Sequence, residues 1–286
     1  MILTPARRRS ALLGTLALAA LAGVPAQADP AAAPAQTRPE WEQPEVLQIG
    51  KEAAHATFRG YPSRAEALAD RPEQSRYHRS LDGEWQFAFS PNPEARPKDF
   101  YRPDYDVSGW KTVKVPGILQ AQGYGQPLFS GAGYPFGTNQ PFVRHDMNEV
   151  GSYRREFEVG PDWTDRDVFL TIGAAGAAYY VWVNGERVGY SEDSKLPSEF
   201  NVTPHLRPGR NIVAIELYRY ADGSYLEDQD FWRLSGIERS VTLYAAPKTR
   251  IRDFEARAGL TNGYRDGALD LSVDCLLYTS PSPRDS

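Results

Sequence analysis

The stretch YYVWVNGERVGY, residues 179–190, decides the fold class. It is rich in β-branched and aromatic side chains, which favour extended strands. Asn184-Gly185 at its centre is the dipeptide typical of a tight hairpin turn, because both residues tolerate positive φ angles. The stretch therefore predicts two antiparallel strands, 179–183 and 187–190, joined by a short turn.

Similar patterns recur on both sides of this hairpin. Apolar residues occupy alternate positions in several further segments, as expected for strands with one buried face. These segments are 84–89, 153–159, 168–172, 211–220 and 240–244. The Pro- and Gly-rich segment 117–141 predicts long surface loops, and residues 63–68 are a short helical candidate. Many short strands without substantial helices predict an all-β fold, a jelly-roll β-sandwich.

The composition of the 286-residue chain is that of a globular protein, with 41% hydrophobic and 24% charged residues. A net charge of −5 without a concentrated basic segment argues against a nucleic-acid partner. Cys275 is the single cysteine, so the fold cannot depend on internal disulfides. The four histidines show no metal-ligand spacing, and the sequence contains no P-loop, dinucleotide fingerprint, HExxH or GxSxG motif.

The start of the chain has the three parts of an export signal. Residues 7–9 are arginines, an apolar run follows, and residues 26–28 (AQA) fit the small-x-small cleavage pattern. We expect residues 1–28 to be removed and the protein to be periplasmic or secreted, with no membrane contact after cleavage. The paired arginines also permit a twin-arginine signal. Residues 29–40, rich in Ala and Pro, predict a flexible linker.

A candidate site lies in residues 221–239, ADGSYLEDQDFWRLSGIER, which we call the site loop. Its charged and aromatic candidates are Asp222, Glu227, Asp228, Asp230, Trp232 and Arg233. Sugar sites typically contain carboxylates, which accept hydrogen bonds from hydroxyl groups, beside a flat aromatic face. The alternative is a solvated acidic loop that closes a hairpin. An acid–nucleophile pair is disfavoured, because carboxylates in one short segment are poorly placed to flank a glycosidic bond.

Several long motifs resemble those of glycoside hydrolase family 2 β-galactosidases. They are GYSEDSKLPSEFNVTPHLRPGRN (189–211), RYADGSYLEDQDFWRLSGIERSVTL (219–243), SLDGEWQFAFSPNP (80–93), VSGWKTVKVPG (107–117) and WEQPE (41–45). The resemblance covers residues 41–274. The string within the site loop is its most specific part, and it favours the β-galactosidase branch over the glucuronidase and mannosidase branches.

The resemblance implies an order of domains. In the family, an arm, a jelly-roll sugar-binding domain and an immunoglobulin-like domain precede a (β/α)₈ barrel, whose two glutamates retain configuration through a covalent intermediate. Here the arm is 41–76, the jelly roll 77–246 and the start of an immunoglobulin-like β-sandwich domain 247–274. We expect the chain to stop before the barrel and to be inactive alone. Residues 275–286 (CLLYTSPSPRDS) resemble sequencing-adapter read-through and are expected to be a non-native tail.

The resemblance also implies roles for single residues. Asp222 matches an Asp that contacts galactoside hydroxyls and helps to hold a sodium ion, whereas the alternative is a turn residue before Gly223. The other site-loop candidates are expected to support the loop, and these are Glu227, Asp228, Asp230, Trp232 and Arg233. The family supplies an Asn to the sugar where this chain has Gly131. That contact is therefore lost or supplied by another residue, for which Asn139 is a weak candidate.

For the intact enzyme, the resemblance implies a β-galactoside substrate, sodium and magnesium as cofactors, and a homo-oligomer whose contacts include the arm. Two functions of other classes stay open. One is a stand-alone carbohydrate-binding module ending near Pro247, and the other is a structural β-domain that mediates oligomerisation. Another family 2 glycosidase, a β-glucuronidase or a β-mannosidase, also stays open. A module would bind galactosides measurably alone, whereas part of a divided site would bind them weakly or not at all.

Overall fold

The computed structural model describes residues 38–131, 133–227 and 230–276. Within them lie seventeen strands, one α-helix (α1, Arg64–Ala69) and seven short 3₁₀ turns. The strands are β1 (Gln48–Ile49), β2 (His78–Ser80), β3 (Gly83–Ser90), β4 (Lys111–Val115), β5 (Gly117–Ile118), β6 (Leu128–Ser130), β7 (Val150–Val159), β8 (Arg166–Ile172), β9 (Ala178–Val183), β10 (Glu186–Ser191), β11 (Ser198–Asn201), β12 (Gly209–Tyr218), β13 (Phe231–Arg233), β14 (Gly236–Ile237), β15 (Val241–Pro247), β16 (Arg250–Thr261) and β17 (Asp266–Leu276). The predicted signal, and the predicted linker up to residue 37, lie outside the described residues.

The alternating segments form two antiparallel sheets. One has seven strands in the order β1-β10-β9-β12-β7-β3-β4, and the other has four in the order β11-β8-β15-β2. Every pairing within both sheets is antiparallel. The sheets share an apolar core that includes Trp85, Tyr153 and Val213 from the larger sheet and Leu170 and Leu243 from the smaller one. The predicted all-β sandwich is confirmed.

The hairpin predicted around Asn184-Gly185 is also confirmed. Val183 pairs with Glu186 across a two-residue turn. Asn184 has φ +52° and Gly185 has φ +92°, which is the left-handed pair that such a turn requires. Local sequence chemistry alone therefore fixes the register at this point.

The larger sheet is covered on its outer face as well. All six residues of β9 are buried, because a second cluster of mainly aromatic side chains packs against the side turned away from the sandwich core. The arm contributes Trp41, whose ring stacks on Tyr218 with the centroids 5.0 Å apart. Tyr180 donates a hydrogen bond of 2.7 Å to Glu40, and β1 pairs with β10. The first part of the arm is thus built into the sandwich.

The two strands that follow the sandwich, β16 and β17, contact the arm through β16. Strands β16 and β17 pair with one another, and the backbone N–H of Ala56 in the arm donates to Asp253 at 2.7 Å. The Phe58 and Phe254 rings lie 5.7 Å apart in an edge contact. Two paired strands do not form a complete domain, so the immunoglobulin-like domain stays a prediction.

The segment 117–141 differs from the predicted long surface loops. It contains strands β5 and β6, which pair with β14 and β13 of the site loop, and it buries Leu119 and Phe136. Pairing with the site loop therefore holds residues 117–118 and 128–130 of this segment in place. The helical candidate was correct, since Ser63 caps α1 by accepting a hydrogen bond from the Glu66 N–H at 3.2 Å. No helix within the described ranges is long and apolar enough to cross a bilayer.

Candidate functional site

The site loop leaves β12 and begins with a 3₁₀ turn, Asp222–Leu226. The N–H of Ala221 donates to Ser224 Oγ at 3.0 Å, and the N–H of Ser224 donates to the Ala221 carbonyl at 3.0 Å. Further along, β13 pairs with β6, and β14 pairs with β5. A closed turn and two short ladders thus hold the loop against the segment 117–130.

Asp222 occupies the first position of this turn and is 7% exposed. The carboxyl group of Glu192, which is also buried, lies within hydrogen-bonding reach of it. The Tyr190 hydroxyl donates to Glu192 Oε2. Asp222 Oδ2 and Glu192 Oε1 are buried without a well-formed hydrogen bond from a described N–H or hydroxyl group, although the Gly223 backbone N–H lies near enough to Glu192 to oppose the rise of its pKa. Two carboxyl groups therefore meet with too few donors around them.

Burial disfavours negative charge at this pair. It raises the pKa of Glu192 well above its ordinary range, and the neighbouring Asp222 carboxyl raises that pKa further. Glu192 therefore holds a proton at neutral pH, which it can donate to Asp222. Since a carboxylate has about four acceptor positions, the pair still has room for a ligand hydroxyl or a hard cation.

The remaining candidates surround this turn at different depths. Burial raises the pKa of Glu227, although the Ser194 hydroxyl donates to this carboxylate and opposes the rise. Arg233 donates through Nη1 to the Glu227 carbonyl at 2.7 Å, a contact within the site loop. Asp230 is exposed, and Asp228 lies outside the described residues.

Trp232 belongs to the exposed side of the loop. It is 49% exposed and makes an edge contact with Phe129 at 5.5 Å between ring centroids. A cavity of about 210 Å³ lies beside it, with Ser194, Arg219 and Glu227 in its walls. Asp222 does not line this cavity, so the structure separates the aromatic candidate from the carboxylate pair.

The region around Gly131 adjoins the site loop. Among the described residues, a Cβ atom at Gly131 would meet Asp230 Oδ1 at 3.8 Å, which is ordinary contact. The exposed Asn139 offers its backbone N–H to the Tyr225 hydroxyl at 3.2 Å. Tyr225 in turn donates to the Phe142 carbonyl at 2.7 Å. Asn139 therefore contacts the site loop through its backbone.

Sequence reasoning missed two residues of this site. Glu192 lies in the quoted motif 189–211, directly after the last residue of β10 and two positions after Tyr190, whose hydroxyl donates to it. Arg219 precedes the loop and is buried. It donates to Glu149 at 2.8 Å, to the Gln126 carbonyl at 2.9 Å and to the Arg233 carbonyl at 2.6 Å. Nothing in the local sequence indicates that this arginine is internal.

Comparisons with known proteins agree with this architecture. Residues 78–247 match the family described as "Glycosyl hydrolases family 2, sugar binding domain". A β-galactosidase of Priestia megaterium is 42% identical over 258 residues, which are 88% of this chain and 25% of that protein. A β-galactosidase of Halalkalibacterium halodurans is 38% identical over 233 residues, or 80% of this chain and 23% of that protein. The chain thus spans about a quarter of the length of these relatives.

Solved structures agree at the level of the fold. A β-glucuronidase from Ruminococcus gnavus superposes with a TM-score of 0.53 at 18% identity, over 72% of this chain and 35% of that one. A β-glycosidase from Bacteroides vulgatus superposes with a TM-score of 0.52 at 20% identity, over 71% and 24%. The family resemblance of the motifs is confirmed by the sequence match. This chain belongs to the glycoside hydrolase family 2 proteins, of which it contains the sugar-binding domain.

Proposed function

We propose that this chain is the sugar-binding part of an exported, retaining β-galactosidase that hydrolyses terminal β-D-galactosides, with Asp222 as a contact to the sugar. The observation that carries the proposal is the buried Asp222 carboxylate, whose Oδ2 meets the Glu192 carboxyl group but no described N–H or hydroxyl donor, so acceptor positions stay unfilled. Buried polar atoms in folded proteins are nearly always satisfied, so a partner from outside the domain is expected. A sugar hydroxyl donates well to a carboxylate.

The local charge supports a neutral glycoside. Glu192 and Asp222 already place two carboxyl groups side by side at the loop. The carboxylate of a uronic acid would add a third acidic group at this point, and like charges at short range repel. A galactoside, which the names of the curated relatives indicate, fits better than the substrate of a β-glucuronidase.

The pair itself is assigned to binding. A retaining glycosidase needs two carboxyl groups about 5 Å apart with the glycosidic bond between them. Glu192 and Asp222 are in hydrogen-bonding contact and buried, which leaves no space for a bond between them. We therefore place the acid and the nucleophile outside this domain, and expect the chain alone not to hydrolyse galactosides.

The expected sodium ion fits the same oxygens. Asp222 Oδ2 and Glu192 Oε1 are hard oxygen ligands, and in place of the proton between them they would hold the ion together with ligands from elsewhere. When bound, sodium would supply positive charge that offsets the negative charge of these carboxyl groups. For magnesium, the described residues contain no group of three or more His, Cys, Asp or Glu side chains that fits. Magnesium ligands would have to come from outside them.

Assembly and export belong to the same proposal. The start of the arm packs on its own sandwich through Trp41, so a homo-oligomer would use the later part. Helix α1 buries none of its residues and is the part of the arm that stays accessible. The export signal at residues 1–28 would deliver the enzyme to the periplasm or the medium.

A chimera tests this function. Residues 38–247 of this chain replace the matching part of the Priestia megaterium β-galactosidase, since 42% identity should preserve the contacts between domains. We expect the chimera to hydrolyse nitrophenyl β-galactoside and not the β-glucuronide. A folded chimera without galactosidase activity, alongside an active parent enzyme, would contradict the proposal.

A further inference from the structure

A second cleft lies on the outer face of the seven-stranded sheet, between the arm and strands β9, β10 and β12. Its volume is about 510 Å³, which lies in the usual range of about 300–1,000 Å³ for small-molecule sites. Its walls share no residue with the cavity beside the site loop. This cleft is therefore separate from the site described above.

Aromatic rings form much of the cleft. Tyr101 stacks on Trp182 with the ring planes 5° apart and the centroids 4.8 Å apart. Trp41, stacked on Tyr218, belongs to the same lining. Trp41, Trp182 and Tyr218 are at most 9% exposed, so the half-buried Tyr101 ring offers the carbon surface against which the C–H face of a sugar ring can pack.

Polar groups in the walls are fixed by ion pairs. Arg96 donates through Nε to Glu216 Oε1 at 3.1 Å, and the Tyr218 hydroxyl donates to the same oxygen at 2.7 Å. Glu216 is 6% exposed and lines the cleft. A second pair joins Arg187 to Glu40 at 2.7 Å. The cleft thus holds rigid acceptors and donors beside its rings.

The balance of charge indicates the class of ligand. The acidic lining residues are Glu40, Glu94, Asp99 and Glu216, and the basic ones are Arg96, Lys98 and Arg187, with His145 beside them. Neither sign dominates, so the cleft fits neither a phosphorylated ligand nor a free cation. A neutral molecule with many hydroxyls can use both kinds of group, because a hydroxyl both donates and accepts.

We propose that this outer cleft is a second, non-catalytic binding site for a neutral saccharide. The proposal goes beyond the function of the site loop and does not depend on it. Such a site would bind a saccharide at the outer face of the domain. The site loop could at the same time contact another part of that saccharide or a different one.

Calorimetric titration of the full chain with galactose, lactose and cellobiose tests the proposal, with inorganic phosphate as the charged comparison. We expect at least one sugar to bind and phosphate not to bind. Tyr101→Ala should weaken sugar binding about tenfold, since it removes one stacked ring. Tyr264→Ala is the matched control, because Tyr264 is 84% exposed in the distant turn between β16 and β17, and it should leave the affinity unchanged.

Folding is checked by circular dichroism. If Tyr101→Ala does not fold, Tyr101→Leu keeps apolar bulk against Trp182 and should weaken binding in the same direction. Binding of none of the three sugars would overturn the proposal. So would sugar binding that Asp222→Asn abolishes and that neither Tyr101 variant changes, because the ligand would then lie at the site loop.

Discussion

The carboxyl group of Glu192 meets that of Asp222 at the start of the site loop, and both are buried. Since the raised pKa of Glu192 leaves it protonated, Glu192 acts as a donor that holds Asp222 in place. The remaining acceptor positions of Asp222 can then receive a donor from outside the domain. Glu192 is then a positioning residue of the proposed sugar site.

Replacement of Glu192 tests this relationship in the chimera. Glu192→Gln keeps an N–H donor of similar size, so we expect kcat/KM for nitrophenyl β-galactoside to stay within about threefold of the unsubstituted chimera. Glu192→Leu leaves Asp222 buried without that donor, which should lower kcat/KM about tenfold or more. Equal kinetics for the Leu and Gln variants would show that the contact does not position Asp222.

The arm should contribute strongly to stability. Trp41 is 2% exposed and stacks on Tyr218, so Trp41→Ala removes a large buried ring and should lower the free energy of unfolding by about 3–5 kcal/mol. Trp232→Ala is the matched control, because Trp232 is half exposed, and its cost should stay below about 1 kcal/mol. Urea denaturation followed by circular dichroism measures both. Similar costs would mean that the arm does not anchor the fold.

Stability should depend on the protonation of His145. Its Nδ1 lies 2.7 Å from Glu94 and its Nε2 lies 2.9 Å from Glu42, beside the Trp41 ring at 5.0 Å. Partial burial opposes the charge, but the two carboxylates outweigh it and raise the pKa of His145. The stabilisation is therefore complete below the unfolded pKa of about 6.5 and is lost as the pH rises through the raised pKa.

The comparison with His145→Gln isolates this contribution. The wild-type chain should exceed the variant in unfolding free energy at about pH 5.5, and this difference should shrink by about pH 8.5. Its size should stay below about 1 kcal/mol, because the His145 side chain is 41% exposed and solvent screens the ion pairs. A difference that is constant across this range would exclude His145 as the titrating group.

Gly131→Asn should be tolerated and should strengthen galactoside binding. The new Cβ would lie 3.8 Å from Asp230 Oδ1, which is ordinary contact, so stability should change by less than about 0.5 kcal/mol. In the chimera, an added amide beside the site loop should lower KM for nitrophenyl β-galactoside.

Gly236→Asn is the matched glycine control for that variant. Gly236 has φ +150°, and a Cβ there would lie 2.3 Å from the Gly117 carbonyl oxygen, so this substitution should destabilise the protein by more than about 2 kcal/mol. Thermal unfolding compares the two variants. An unchanged KM in a stable Gly131→Asn chimera would show that position 131 does not face the sugar.

Features encoded within a few residues could be predicted from the sequence. The β9–β10 hairpin follows from Asn184-Gly185, and helix α1 follows from a short run capped by Ser63. The sandwich follows from the repeated alternation of apolar residues. The Asp222-Gly223 dipeptide likewise predicts the turn at Asp222.

Features that depend on distant pairing could not be predicted in this way. The sequence of segment 117–141 predicts a loop, because its strands β5 and β6 pair with β14 and β13, which lie about 100 residues later in the chain. The aromatic content of β9 predicts a strand, but its burial on both faces requires Trp41 to pack from the arm. Glu192 follows the end of β10, and Asp222 follows the end of β12. Their contact depends on the position of both strands in the sheet, where β9 lies between them.

The central claim is that Asp222 contacts the galactoside, and the kinetics of Asp222→Asn in the chimera test it most directly. Asp104→Asn serves as the control, because the Asp104 side chain is 76% exposed and lies outside the site loop. Loss of a charge-assisted hydrogen bond should lower kcat/KM for nitrophenyl β-galactoside about 10- to 100-fold in Asp222→Asn and leave Asp104→Asn unchanged. Unchanged kinetics in a folded Asp222→Asn chimera would contradict the account and make Asp222 a turn residue alone.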